Sequence, residues 1–147
     1  MTAIQCVDCL AEGVTTKRPA PHGGPRSARC STHHRAVVKR RKERAHELRT
    51  ANTYQLTAED YQLLYASQGS RCAICQRATG AARRLAVDHE HNRPGCDHPT
   101  EQGCHLCIRG LCCGPCNVLI GRYPVEALRR AIQYLTDPPA RSALLAT

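Results

Sequence analysis

Two C-x2-C pairs, Cys72-Ala73-Ile74-Cys75 and Cys113-Gly114-Pro115-Cys116, enclose the acidic and histidine cluster Leu85-Ala86-Val87-Asp88-His89-Glu90-His91, and the second pair runs directly into Asn117. Thiolates two residues apart turn toward a common point, so two such pairs can grip one zinc tetrahedrally. The pairs at Cys72/Cys75 and Cys113/Cys116 would then pin the ends of whatever carries Asp88, His89, His91 and Asn117. This constrains the stretch to a small metal-closed unit.

The composition calls for such a device. The 147-residue chain has no Phe, no Trp and five Tyr, so a large aromatic core is excluded. Eleven cysteines and eight histidines offer another source of stability. A structural zinc contributes about 10–16 kcal/mol of apparent binding free energy. Disulfides are the competing use of the thiols. However, no N-terminal apolar segment resembles a secretory signal, and no run is long enough to span a membrane. The expectation is an intracellular, reducing, cytoplasmic location without membrane association, where C-x2-C spacing favours metal.

The formal charge of +9 is uneven. Residues 1–51 hold eleven Lys/Arg against four Asp/Glu, and residues 52–147 hold ten against eight. A basic front third favours a polyanionic partner, and nucleic acid is the usual one.

That front third, residues 1–51, reads as an appendage. Cys6-Val7-Asp8-Cys9 is followed by Cys30-Ser31-Thr32-His33-His34, a spacing that predicts a second zinc on Cys6, Cys9, Cys30 and His33, with His34 the spare. A tail with incidental cysteines is the alternative. The stretch Arg18 to Pro25 between them is rich in proline and glycine and reads as a loop. From Arg35 to Arg49 a basic helix is predicted. Its Arg35, Lys39, Arg40, Arg41, Lys42 and Arg44 are candidates for DNA phosphates, and plain solvation of a charged helix is the alternative. Such contacts supply affinity rather than specificity.

Residues 52–137 read as the catalytic domain and 138–147 as a flexible tail. After a linker at Thr50 to Gln55, Thr57 is an N-cap with Asp60 at the capping-box position, and Leu56 is placed to staple against Tyr61. Gly69 ends that helix. A short strand, Leu85 to Val87, delivers Asp88 and His89. Adjacent strand residues face opposite sides, so the strand must bend or end there if both are to reach one phosphate. A second strand is expected at Ile108 to Cys112, and a short helix from Asn117 to about Ile120. Between the strands, Cys96, His98, Cys104 and Cys107 have the makings of a third zinc site; a disulfide or free thiols compete. A last helix, about Pro124 to Thr136, carries Val125, Leu128, Ile132 and Leu135 at helical spacing, expected to cover the core or a partner subunit.

In this order the motifs resemble the HNH (ββα-metal) nucleases, and among them the phage recombination endonuclease VII family. The resemblance rests on Cys72/Cys75, on Asp88-His89-x-His91, and on Arg109-Gly110-Leu111-x-Cys113-x-x-Cys116-Asn117, and covers roughly Leu56 to Tyr134. It implies an α+β fold, a small zinc-stabilised ββα-metal nuclease domain, in a phage or prophage protein acting in the host cytoplasm. It also implies structural zinc, a catalytic divalent ion on Asp88 and Asn117, and His89 as general base. Ile120 stands where family members can carry an acid, so no extra carboxylate ligand is expected.

The residue chemistry agrees with those roles. An imidazole is substantially neutral at physiological pH and can take a proton from water. Asp88 and Asn117 offer hard oxygens suited to Mg2+ or Mn2+. His91 would orient the scissile phosphate or support the metal, whereas Glu90 alternates to the other face. Asn117, expected at a helix start where N–H groups favour phosphate, has an ordinary N-cap as its other reading. Two classes of function follow. One is a metal-dependent DNA endonuclease, acting on branched or mismatched DNA, as a possible homodimer, or nicking ordinary duplex. The other is a non-catalytic zinc protein that binds nucleic acid.

Overall fold

The computed structural model describes residues 5–14, 19–24 and 26–145. Arg18 and Pro25 of the expected N-terminal loop, and Ala146 and Thr147 of the expected tail, lie outside them. The chain divides into two compact units, Met1–Asn52 and Thr53–Thr147.

The first unit has almost no apolar interior. Its core is Cys6, Cys9 and Cys30, with Ala20 packed against them. The short helix α1 (Val7–Ala11) begins at Cys6, and an isolated antiparallel bridge pairs His22 with Arg29. Val7 N–H donates to Ala28 O at 2.9 Å, and Arg29 Nε donates to Asp8 at 2.6 Å, which ties the two thiol-bearing segments together.

Helix α2 spans Ser31–Tyr54, so the helix expected at Arg35 to Arg49 is longer at both ends and the linker predicted at Thr50 to Gln55 is mostly helical. The stretch lacks Gly and Pro. Thr50, which weakens a sequence-based helix assignment, satisfies its hydroxyl inside the helix by donating to His46 O and Glu47 O at 3.1 and 2.9 Å. Gln55, at φ 54°, breaks the run.

The second unit is small and α+β. Helix α3 (Ala58–Ser67) carries the predicted capping box. Thr57 Oγ1 accepts from Asp60 N–H at 3.1 Å, and Asp60 Oδ2 accepts from Thr57 N–H at 2.9 Å. Leu56 and Tyr61 both belong to the core, with Cys72, Leu85, Val87, Leu111, Cys112 and Cys116. Strand β1 (Ala86–His89) pairs antiparallel with β2 (Ile108–Cys112) in a two-stranded sheet. Strand β1 therefore starts later and runs further than the predicted Leu85 to Val87, so Asp88 and His89 lie within it.

Their pairing contains an irregularity. Asp88 faces Gly110 while His89 faces Ile108, which leaves Arg109 as the extra residue of a β-bulge. Along β1 three successive residues, Val87, Asp88 and His89, are buried, the last two at 8 % and 9 % exposure. Strand β2 is held on its other side by a side chain. Gln68 Oε1 accepts from Leu111 N–H at 2.7 Å, and Gln68 Nε2 donates to Leu111 O at 2.9 Å and to Arg71 O at 3.0 Å. The amide thus stands in for a third strand. Gly110, at φ 152°, admits this approach: a Cβ there would lie 2.8 Å from Gln68 Oε1.

Helix α4 (Gly114–Arg122) follows β2 and packs against β1. It begins three residues before the predicted start at Asn117. Cys113 is the N-cap, Pro115 sits in the first turn, and Asn117 N–H is already bonded to Cys113 O at 2.9 Å. Asn117 is therefore neither an N-cap nor a source of a free N–H for phosphate. Ile120 is partly buried against the core.

Helix α5 (Val125–Thr136) has Pro124 as its N-cap and matches the predicted span within one residue. The prediction that its apolar stripe covers the core is not met. Val125, Ile132 and Leu135 are 57, 63 and 75 % exposed, and no described residue of α5 is buried. Helical spacing shows that a face exists but not what lies against it. The expected tail contains another helix, α6 (Pro139–Leu145).

Candidate functional site

Three sets of four ligand atoms converge, each with all atoms within 4.8 Å of one another: Cys72, Cys75, Cys113 and Cys116; Cys6, Cys9, Cys30 and His33; and Cys96, His98, Cys104 and Cys107. These are the three groups that the spacings indicated. Among the described residues all eleven cysteines are free, so the thiols are not spent on disulfides. A tetrahedral ion with zinc–sulfur bonds of about 2.3 Å requires sulfurs about 3.8 Å apart. Cys75 and Cys113 are 3.8 Å apart, Cys96 and Cys104 3.6 Å, and Cys9 and Cys30 4.0 Å.

In the first unit His33 Nδ1 lies 3.3, 3.4 and 3.4 Å from the sulfurs of Cys6, Cys9 and Cys30. Near-equal distances leave a common centre for one ion. The opposite ring nitrogen, Nε2, is 3.2 Å from Glu12, the carboxylate–histidine arrangement that fixes a ligating imidazole. Glu12 was not legible as a partner from spacing alone. In the third cluster His98 Nε2 is 3.5 Å from Cys107 Sγ.

Burial and backbone hydrogen bonds drive the thiols of each cluster in opposite directions. Burial pushes Cys116 up to about 12, with the neighbouring thiols of Cys113, Cys72 and Cys75 adding to it. At Cys72 burial also acts upward, but hydrogen bonds from the backbone of Cys113, Cys75 and Ile74 outweigh it and bring the thiol to about 6. Burial leads in the same way at Cys9 and Cys96, both raised to about 11, while backbone hydrogen bonds overcome it at Cys6 and Cys104, both lowered to about 6. Each cluster thus pairs a readily formed thiolate with a thiol that keeps its proton, a conflict that a divalent cation relieves. These donors fit zinc.

The oxygen and imidazole groups occupy β1 and α4. Arg109, the bulge residue, grips Asp88 with both arms, Nε to Oδ2 at 2.7 Å and Nη2 to Oδ1 at 2.9 Å, and also donates to His89 O at 3.2 Å. This clamp is the detail the sequence reading missed, since it depends on strand register. His89 Nε2 is 3.0 Å from Thr100 O, and its ring stacks on His91 with centroids 4.7 Å apart. Tyr54 tilts against His89 at 5.5 Å. His91 is exposed, and Glu90, facing elsewhere, pairs with Arg93 at 3.1 Å. None of Asp88, His89 and His91 belongs to a metal-holding group of three or more such ligands among the described residues.

Asn117 presents one unsatisfied atom. Its Oδ1 is fully buried and accepts no hydrogen bond. A buried carbonyl oxygen without a donor costs about 1–3 kcal/mol, and a hard cation would satisfy it. The Asp88 carboxylate has about four lone-pair sites, of which Arg109 uses two, so acceptor capacity remains. Oxygen donors of this kind fit Mg2+ or Mn2+.

On α2, Arg35, Lys39, Arg40, Arg41, Lys42 and Arg44 are all exposed, and among the described residues only Lys39 of these has an ion-pair partner, Glu43 at 3.9 Å. Among the described residues, no helix is long and apolar enough to cross a membrane.

The family model for recombination endonuclease VII matches residues 47–137. The Gene 59 protein of Mycobacterium phage D29 is 43% identical over 138 residues, which cover 92% of this chain and 74% of that protein. The Gene 59 protein of Mycobacterium phage L5 is 40% identical over 138 residues, covering 92% and 75%. No solved structure matches. With well over half of its length matched, and relatives above 40% or at 40% identity across nearly all of it, the chain belongs to the recombination endonuclease VII family.

Proposed function

We propose that the protein is a metal-dependent DNA endonuclease in which β1, β2 and α4 form a ββα-metal (HNH) unit. Family membership implies a nuclease with DNA as its substrate. The observation that carries the finer reading is the buried, unpartnered Asn117 Oδ1 on a helix packed against the strand that bears Asp88 and His89. Asp88 and Asn117 would hold the catalytic Mg2+ or Mn2+, which would supply charge stabilisation at the phosphate and leaving oxygen.

The chain's own residues do the rest. His89 donates from Nε2 to Thr100 O, which fixes the tautomer and leaves the Nδ1 lone pair free to accept a proton from the attacking water. Arg109 holds the Asp88 carboxylate in place through two hydrogen bonds. His91, exposed and stacked on His89, is positioned to meet a phosphate. The zinc clusters keep these groups in register in a domain with little apolar core. The cations of α2 add sequence-independent affinity for the DNA backbone.

Branched DNA is the substrate class that the family's name favours. Symmetric cuts in such DNA need two active sites, so the reading includes a homodimer and the cytoplasm of a phage host as its place. The exposed Val125–Leu135 face of α5 offers an uncovered apolar surface for a second copy.

The test is conversion of supercoiled plasmid by the zinc-loaded protein with added Mg2+ or Mn2+. The wild type should nick or linearise it, and His89→Ala should be slower by at least about 100-fold, the usual contribution of a general base. Equal activity in the two proteins would overturn the mechanism. Binding without any cutting would leave a zinc-dependent nucleic-acid-binding protein. Rates on a four-way junction against linear duplex then decide the substrate class.

A further inference from the structure

Between the first thiol pair and β1 lies a loop whose cations the mechanism above does not use. From Gln76 to Val87 the chain carries Arg77, Arg83 and Arg84 and no acidic residue. The loop is anchored at both ends. Cys72 N–H donates to Ala78 O at 2.8 Å, the Tyr65 hydroxyl to Thr79 O at 2.7 Å, and the Tyr61 hydroxyl to Leu85 O at 2.9 Å. Gly80, at φ 75°, supplies the turn between the anchors.

Arg77, Arg83 and Arg84 are exposed. Among the described residues none of the three has an ion-pair partner, whereas Arg29, Arg93, Arg109 and Arg129 each meet a carboxylate. The three arginines line one wall of an open groove of about 390 Å³, and Cys113, Gly114 and Pro115 line the other. That second wall is the N-terminal turn of α4, where the backbone carries partial positive charge. Three like charges gathered on a fastened loop repel one another unless an anion shares the groove. An open trough suits a chain that passes through it.

We propose that this groove binds a backbone phosphate of the DNA substrate and so sets the strand's position relative to the cut. The proposal rests on the nuclease reading. Gly114 lies only about 4.5 Å along the α4 axis from Asn117, at roughly 1.5 Å per residue, so a phosphate held here and one at Asn117 can belong to the same strand or duplex. Arginine is the residue type expected, because its planar fork matches phosphate oxygens two at a time.

The competing role is local. A zinc bound by four cysteines carries net charge −2, and the arginines could serve only to offset it. The experiment separates the two. The triple variant Arg77→Gln, Arg83→Gln, Arg84→Gln is compared with wild type and with the triple Lys variant, in zinc content and in duplex binding across a range of NaCl without added divalent metal. Loss of one or two phosphate contacts should lower the slope of log affinity against log salt by about 1–2, weaken binding at least tenfold near physiological salt, and leave zinc content unchanged. The Lys variant should keep most of the slope. In cleavage assays KM should rise more than kcat falls.

Wild-type affinity and slope in the Gln variant would overturn the proposal while leaving the nuclease reading intact. Loss of affinity that tracks loss of zinc would also overturn it, in favour of the local role. A wild type that neither binds nor cuts DNA would remove the nuclease reading and this proposal together.

Discussion

Arg109 reaches across the sheet from the bulge in β2 and holds both carboxylate oxygens of Asp88, at 2.7 and 2.9 Å. The bulge and the clamp are one device. Without the register shift Arg109 would stand opposite His89 as an ordinary ladder residue, and the buried Asp88 would lack its cation.

Arg109→Ala should therefore reduce cleavage far more than it reduces folding. The Arg109 side chain is half exposed, so screening limits its share of stability to about 1–2 kcal/mol, below the cost of breaking a fully buried pair. Arg109→Lys restores the charge but not the two-point grip, and should recover stability better than activity. Thermal unfolding and single-turnover cleavage of both variants check this. Full activity in Arg109→Ala would mean that the clamp has no part in catalysis.

Gln68 makes a stability prediction that no motif suggests. Its amide satisfies the N–H and C=O of Leu111, a residue with no exposed surface. Gln68→Ala leaves the buried Leu111 N–H without its acceptor, while Leu111 O keeps the Ala73 N–H at 3.0 Å, and should cost about 1–3 kcal/mol. Gln68→Glu keeps the acceptor for Leu111 N–H but turns a carboxylate oxygen toward the carbonyls of Leu111 and Arg71 that the amide NH2 served, and should not restore full stability. Denaturant unfolding at fixed zinc distinguishes the variants, and a neutral Gln68→Ala would contradict the assigned role.

Zinc uptake should reach three ions per chain and release protons. Cys9, Cys96 and Cys116, raised mainly by burial to about 11, 11 and 12, remain protonated in the metal-free protein at pH 7.5. Each must lose its proton to bind zinc, so uptake releases at least one proton per site and affinity falls as pH is lowered. Titration calorimetry in buffers of different ionisation enthalpy, with elemental analysis, measures both quantities. Two ions or fewer in the folded protein, or heats independent of buffer, would contradict this. Removing the carboxylate behind His33 with Glu12→Gln should weaken the first-unit site by about 10–100-fold.

What the sequence revealed and what it hid follow from the range of the interactions. The three four-ligand groups able to hold zinc and the Thr57–Asp60 capping box were legible because each is built from ligand pairs or caps a few residues apart. The start of α4 was misread because Cys113 belongs to the four-thiol group and is also the N-cap, which moves the helix to Gly114 and takes Asn117 inside it. The length of α2 depended on Thr50 bonding back into its own helix. The Asp88–Arg109 and Gln68–Leu111 pairs join residues 21 and 43 apart, and the register that unites them is set by tertiary pairing. The stripe on α5 was correctly seen as apolar, but periodicity does not say what covers it.

The central claim is that zinc clusters hold a small scaffold so that Asp88 and Asn117 offer oxygen donors to one hard cation near His89. Crystals of the zinc-loaded protein soaked in Mn2+ and measured at the manganese absorption edge test it most directly. The predicted result is one manganese peak touching Asp88 and Asn117 Oδ1, apart from three zinc peaks on the cysteine clusters, and its loss in Asn117→Ala. Zinc peaks alone, or manganese bound elsewhere with Asn117 Oδ1 still unpartnered, would contradict the account.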